Sequence, residues 1–386
     1  MQRFYGIFNE NFPPVIDGVA VTVQNYARWL YEKKYGVCVV TPFMPSLNEK
    51  EFGYEILQYL SVPIPMRKPY RLGLPDLDPK FQAKILATPF DLVHAHCPFS
   101  SGQIALKIAK KRNIPLVATF HSKYKMDFTR AIPSKRIVNN MITNVIDFYN
   151  RADEVWIPQA AVEETLREYG YRGRVEVMEN GNDFTGNDSP DLLRIEMREK
   201  LRISGDETMF LFVGQHILEK NVILILDALA LLKELPFKMF FIGTGYAEEE
   251  MKRKSEELGL SGKVVFEGSI KNREVLKSYF AAADLFLFPS LYDNAPLVVR
   301  EAAAMQTPSL LLKNSTASEI ITDGLNGFLS PDTPAGFAGK IREISAQSAL
   351  FQMVGKIASL TISRSWENVV EEVADRYNSL VKRRGC

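Results

Sequence analysis

The sequence predicts an α/β protein built as two similar domains, each a parallel sheet flanked by helices. Three observations carry that prediction. The chain of 386 residues is longer than one ordinary core accommodates and suits two domains. Short, wholly apolar runs alternate with longer stretches of helical periodicity, the pattern of strand, crossover helix and strand. The alternation stops at a turn-rich stretch, residues 179–190, and then begins again. A hydrophobic fraction of 46% with 24% charged residues is that of a globular chain, and no run approaches the roughly 20 apolar residues of a membrane span.

In chain order, residues 4–8 read as a first strand and 9–19 as a loop punctuated by Pro and Gly. Residues 19–31 carry apolar side chains at helical spacing, and 37–40 form a second buried strand closed by Thr41 and Pro42. Asp17 and Gly18 stand where that helix begins. There the backbone could approach a phosphate or a sugar, or the pair could be a plain turn with an N-terminal carboxylate. Residues 61–79, rich in proline and carrying Arg67, Lys68 and Arg71, read as an irregular basic surface loop.

Residues 91–96, DLVHAH, form the next strand, 104–111 a helix, and 114–121 a strand that stops at His121. Ligands gather at the carboxyl ends of strands in open α/β sheets, which favours His121 over His96 as a ligand-facing group. The spacing of His94, His96, Cys97 and His121 matches no metal motif. Beyond them Lys123, Tyr124, Lys125, Lys135 and Arg136 interleave cations with aromatic and aliphatic residues ahead of a helix at 136–149. That composition suits peripheral contact with an anionic lipid surface; a solvated face is the plainer alternative. A strand at 155–158, a helix at 161–169 and a strand at 174–178 complete the half.

The second half opens with a strand at 208–213, a turn at Gly214, Gln215 and His216, and a helix at 221–233 preceded by Lys220. A strand at 238–242 breaks at Gly243, and a strand at 263–266 and a helix at 273–283 follow. The strand at 284–289 then meets SLYDNAPLVVREAAA, residues 290–304. A strand that breaks there and restarts as helix near Pro296 leaves backbone N–H groups facing outward, which suits an anion. Asp293 and Glu301 bracket the turn and are expected to face one ligand. The last stretch, 366–381, is an amphipathic helix ending in basic residues. A net charge of +1 argues against a dedicated nucleic-acid binder. Three scattered cysteines and the lack of a signal-peptide pattern suit a reducing cytosol.

These ordered motifs resemble family 4 of the retaining, nucleotide-sugar-dependent glycosyltransferases. The resemblance rests on FVG at 212–214, Lys220 with Asn221, IGTG at 242–245, FEG at 266–268, FPS at 288–290 through EAAA at 301–304, and DGLNGF at 323–328. The N-terminal PPVIDGV at 13–19, the strand ending in His121 and the SWE at 365–367 match as well. It implies the GT-B fold: two Rossmann-like domains facing across a cleft. The N-terminal acceptor domain would be 1–182, the nucleotide-sugar domain 183–362, and the C-terminal helix, 363–386, would return to the first domain. Within the family, TFHSKY at 119–124 and LYD at 291–293 look most like enzymes that glucosylate diacylglycerol.

By that resemblance Glu301 would accept from the donor ribose, Lys220 would neutralise the diphosphate, and Asp293 and His121 would lie by the donor sugar. Gly18, Asp17, Gly214, Gly243 and the amides of Asn294, Ala295, Pro296 and Leu297 would line the donor's path. Two positions depart from the family: Asp293 replaces Glu, and Gln215 replaces Arg, exchanging a fixed cation for a neutral amide. The implied activity is retaining transfer of a hexose, UDP-glucose favoured, to a diacylglycerol or other membrane lipid, with no metal or cofactor. The implied place is the cytoplasm, at the inner face of a membrane. A polysaccharide or small-molecule acceptor, a sugar-nucleotide epimerase or phosphorylase, and a non-catalytic nucleotide-sugar-binding protein are the alternatives.

Overall fold

The computed structural model describes residues 2–15, 17–64, 70–184 and 189–385. Arg67 and Lys68 of the basic loop, and 185–188 of the turn-rich stretch, lie outside the described residues. The chain divides into two compact units, Met1–Gly181 with Trp366–Cys386, and Asn182–Ser365.

The first unit holds a seven-stranded sheet whose order is Glu55–Tyr59, Gly36–Pro42, Phe4–Phe8, Leu92–Ala95, Leu116–Thr119, Glu154–Ile157 and Glu176–Val177. Every pairing in it is parallel. Strand Gly36–Pro42 is buried from Val37 to Pro42, because crossover helices cover both faces of the sheet. The second unit repeats the plan with six parallel strands: Val264–Gly268, Phe237–Ile242, Thr208–Val213, Leu285–Phe288, Ser309–Leu312 and Phe328–Ser330. Both sheets grow one way from their first strand and then reverse, the doubly wound order of Rossmann-type folds.

The C-terminal helix, Trp366–Arg384, belongs to the first unit. Trp366, Val369, Val370, Val373, Ala374, Tyr377 and Leu380 make its buried stripe at helical spacing. Its polar positions add directed contacts. Tyr5 Oη donates to Asn378 Oδ1 at 2.9 Å, and Arg376 Nε donates to Glu154 Oε2 at 2.8 Å. Where the chain leaves the first unit, Gly181 presses on Trp366: a Cβ there would lie 2.7 Å from the Trp366 nitrogen and Cα. Next to it, within the second unit, Asn182 Nδ2 donates to Ser363 Oγ and to the Arg364 carbonyl.

Two local expectations change. Residues 61–79 are not wholly irregular: Ser61–Pro63 and Arg71–Gly73 pair antiparallel, with Val62 opposite Leu72, because Arg71 donates from Nε and Nη2 to the hydroxyl and carbonyl of Ser61. The expected strand at 174–178 shrinks to Glu176–Val177, an exposed edge whose register ends within two residues.

Replacing Trp366 with Ala removes a side chain that is 1% exposed. It is expected to destabilise the first unit by about 3–5 kcal/mol. Urea unfolding followed by limited proteolysis should show the loss in 1–181 and leave 182–365 protected; equal loss in both would contradict the unit boundary.

Candidate functional site

In the second unit the candidate residues hang from the carboxyl ends of the strands. Gly214 ends Thr208–Val213 and Gly243 ends Phe237–Ile242, with φ of +154° and +134°. A Cβ on Gly243 would come within 1.9 Å of the Gly214 carbonyl oxygen, so the two turns can touch only if position 243 is Gly. Hydrogen bonds from Gly214 N to the Ile242 carbonyl and from His216 N to the Thr244 carbonyl, each 3.0 Å, fix the pair. Gln215 between them is exposed. His216, which sequence reasoning passed over, is fully buried among Phe212, Phe241 and Phe266, where burial pushes its imidazole below the usual histidine range.

Lys220 ends a short helical turn, Leu218–Lys220, and Asn221 behind it takes a left-handed conformation that starts helix Val222–Ala230. Its Nζ donates to both oxygens of Asp293, at 2.9 Å each. The ammonium also lies 5.2 Å from the Phe288 ring centroid. Ser290 Oγ donates to Asp293 Oδ2 at 2.6 Å and accepts from the backbone of Tyr292 and Asp293. Asp293 and Lys220, expected to meet different parts of one ligand, are therefore joined to each other. Helix Leu297–Ala304 begins at Pro296 with no side-chain cap, so its first amides have no competing side-chain acceptor.

Glu301 sits inside that helix and is 5% exposed. Arg273, the first residue of helix Arg273–Ala282, donates from Nη2 to Glu301 Oε1 at 2.6 Å and from Nε to Asp183 Oδ2 at 3.0 Å. Burial pushes the Glu301 carboxyl up, and the Arg273 guanidinium pulls it back. Sequence reasoning missed Arg273. An Arg beside the helix-capping Asn272 looks like a solvated first turn until the fold brings Asp183 and Glu301 to it.

In the first unit, His94, His96 and His121 stack at the ends of strands Leu92–Ala95 and Leu116–Thr119. His94 hydrogen-bonds Tyr377 Oη through Nδ1 and Thr119 Oγ1 through Nε2. His96 Nδ1 meets His121 Nε2 at 2.9 Å, with the two ring planes 16° apart. Burial lowers all three imidazoles, His121 to about 3, so they are neutral at physiological pH. No metal-binding group of His, Cys, Asp and Glu is found among the described residues.

Asp17 caps helix Gly18–Glu32, accepting from Ala20 N at 2.8 Å, and Asn11 Nδ2 donates to its other oxygen at 3.1 Å. A Cβ on Gly18 would meet nothing within 4 Å, so the space in front of that backbone is open. Glu10, also missed in the sequence, caps a different helix. It accepts from Ser101 N at 2.7 Å and from Ser100 Oγ, where Phe99 gives helix Ser100–Arg112 no side-chain cap.

Lys125, Lys135 and Arg136 are exposed, and Lys123 is half-buried. Tyr124, expected with them at the surface, is buried instead. Its ring packs edge-on against Phe99 and Phe120, because helix Tyr124–Ala131 turns that position inward. The exposed apolar side chains beside the cations are Met126 and Ile137.

The second half of the chain, residues 194–359, matches the family model described as glycosyl transferases group 1, and residues 16–185 match glycosyltransferase family 4. Alpha-monoglucosyldiacylglycerol synthase of Streptococcus pneumoniae is 26% identical over 84% of this chain and 74% of its own length. A sulfoquinovosyl transferase of Arabidopsis thaliana is 27% identical over 92% of this chain and 69% of its own. Among solved structures, Anabaena HepE in complex with UDP and glucose superposes with a TM-score of 0.78, at 18% identity, over 98% of this chain and 100% of that one. The sucrose-phosphate synthase of Thermosynechococcus elongatus does so at 0.80, with 18% identity, over 99% and 100%. Matched over both of its halves, the chain belongs to the family 4 glycosyltransferases of GT-B fold, which transfer a sugar from a nucleotide sugar.

Proposed function

We propose that the protein moves a hexose, with UDP-glucose the favoured donor, to a hydroxyl of diacylglycerol or another membrane lipid with retention at the anomeric carbon. The observation that carries this reading is that the second unit holds both a cation at a strand-end turn, Lys220, which is bonded to Asp293, and a nearly buried carboxylate, Glu301, in the helix that follows an uncapped start. A nucleoside diphosphate sugar asks for both: charge on its phosphates and an acceptor for its ribose.

In the proposed step the bond from the anomeric carbon to the β-phosphate oxygen breaks while the acceptor hydroxyl oxygen bonds to that carbon from the same face. The departing phosphate takes the acceptor's proton. Charge grows on the phosphate oxygens, where Lys220 and the backbone N–H groups of Asn294, Ala295 and Leu297 act. One well-placed donor of this kind lowers the barrier by roughly 3–4 kcal/mol. To serve, Lys220 exchanges Asp293 for phosphate, and Asp293 keeps its hydrogen bond from Ser290.

Support for the lipid acceptor is twofold. Relatives named as monoglucosyldiacylglycerol synthases come from Streptococcus pneumoniae and Acholeplasma laidlawii. The first unit also exposes Lys125, Lys135 and Arg136 next to Met126 and Ile137, a face with cations to meet anionic headgroups and side chains to enter them. The exposed Gln215, lacking the charge of an Arg, favours a second reading in which the protein binds a nucleotide sugar without turning it over.

Lys220→Ala and Glu301→Ala are expected to cut transfer by roughly 100- to 1,000-fold with the fold retained. Wild-type turnover in either sinks the assignment, and donor binding without product from the wild-type protein turns it to the binding reading. EDTA is expected to leave turnover unchanged; activity that returns only with added Mg2+ would show that a metal shares the phosphates with Lys220. Replacing Lys125, Lys135 and Arg136 together by Gln should weaken co-sedimentation with anionic vesicles by about 3 kcal/mol, roughly 100-fold. Unchanged sedimentation would remove this face from the account.

A further inference from the structure

Glu301 is held on one side only. Its Oε1 accepts from Arg273, and its Oε2 accepts no hydrogen bond from a described residue. The guanidinium that holds it is itself fixed by two further groups. It bridges to both oxygens of Asp183, and its central carbon lies 4.4 Å from the Phe184 ring centroid. A planar fork bonded to two carboxylates and seated on a ring has little freedom left, so it hands that rigidity to Glu301. Glu301 is 5% exposed, a place where an unpaired carboxylate is costly and takes up a proton instead.

We propose that Arg273 is a positioning residue for the donor nucleoside: by occupying Oε1 it fixes the charge and the aim of Oε2, the atom that accepts from the vicinal hydroxyls of the ribose. This rests on the reading of Glu301 as the ribose carboxylate. An oxygen of an ionised carboxylate accepts from a diol more strongly than a neutral amide or acid does. The charged groups that act on Glu301 are Arg273 from helix Arg273–Ala282 and Asp183 from the segment after Asn182, one of each sign. Without the guanidinium, burial and Asp183 both oppose ionisation. The acceptor would then be lost as pH falls and regained as it rises.

The experiment compares the binding of UDP and GDP with that of their 2′,3′-dideoxy forms by calorimetry, on the full chain, at about pH 6 and pH 8.5. The ratio of the two affinities, taken on one preparation, does not depend on the fraction folded and cancels the titration of the phosphates. In the wild type the ribose hydroxyls are expected to be worth roughly 10- to 100-fold at both pH values. Glu301→Gln should bring the ratio close to one at both. Arg273→Gln should give a ratio close to one at the lower pH that recovers at the higher. Arg273→Lys keeps the charge and loses the fork, so its ratio should fall without becoming pH-dependent.

A wild-type ratio in Arg273→Gln at both pH values overturns the proposal. If that variant does not fold, a wild-type ratio in Arg273→Lys overturns it. A ratio near one in the wild type, or no change in Glu301→Gln, overturns the ribose reading of Glu301 instead, with Arg273 left aside. Failure of both nucleotides to bind the wild type does the same.

Discussion

In both large sheets every strand runs in the same direction, and the rest of the molecule follows from that constraint. Parallel neighbours cannot be joined by a tight turn, so each strand is followed by a crossover that returns to the same edge. All carboxyl ends then lie together. At the point where the order reverses, the crossovers leave in opposite directions and part the loops. That point lies between Phe4–Phe8 and Leu92–Ala95 in the first unit and between Thr208–Val213 and Leu285–Phe288 in the second. The loop of Asp17, His94 and His96, and the stretch from Ser290 to Glu301 belong to or leave from strands at those reversals, and His121 and Gly243 follow the strands beside them.

The candidate charges are matched before any ligand arrives. Lys220 faces Asp293, and Arg273 faces Asp183 and Glu301, with side-chain exposure running from 6% at Glu301 to 39% at Arg273. Two consequences differ in kind. Lys220 and Asp293 form a pair that a phosphate can open, because phosphate offers the ammonium the same geometry and more charge. In the proposed reading the Arg273 pair stays closed when a ribose binds, because Oε2 of Glu301 is a separate atom from the bonded Oε1. An exchangeable pair and a permanent one therefore stand within a single helix start and its approach.

Much of this was legible in the chain. Apolar runs such as TMFLFV and LFLF announced buried parallel strands, and the Pro296 restart announced a helix start because few other patterns place a strand break and an alanine-rich run together. Gly243 was visible as a strand break, although the reason it must be Gly, the carbonyl of Gly214, belongs to a different strand end. What stayed hidden were contacts made across sequence. Arg273 meets Asp183 at a separation of 90 residues, and Glu10 caps a helix 91 residues away. Tyr124 was misplaced for a related reason. Its aromatic ring among lysines suits a surface as well as a core, and only the turn of the helix decides between them.

In the proposed reaction this scaffold breaks a sugar–phosphate bond and forms a glycosidic bond to a lipid hydroxyl on the same face. The most direct measurement is proton NMR of the anomeric coupling in the glycolipid formed from UDP-glucose and diacylglycerol vesicles by the full chain. An α-linked product, keeping the donor's configuration, is the predicted result. A β-linked product, or free glucose with no lipid product, would contradict it.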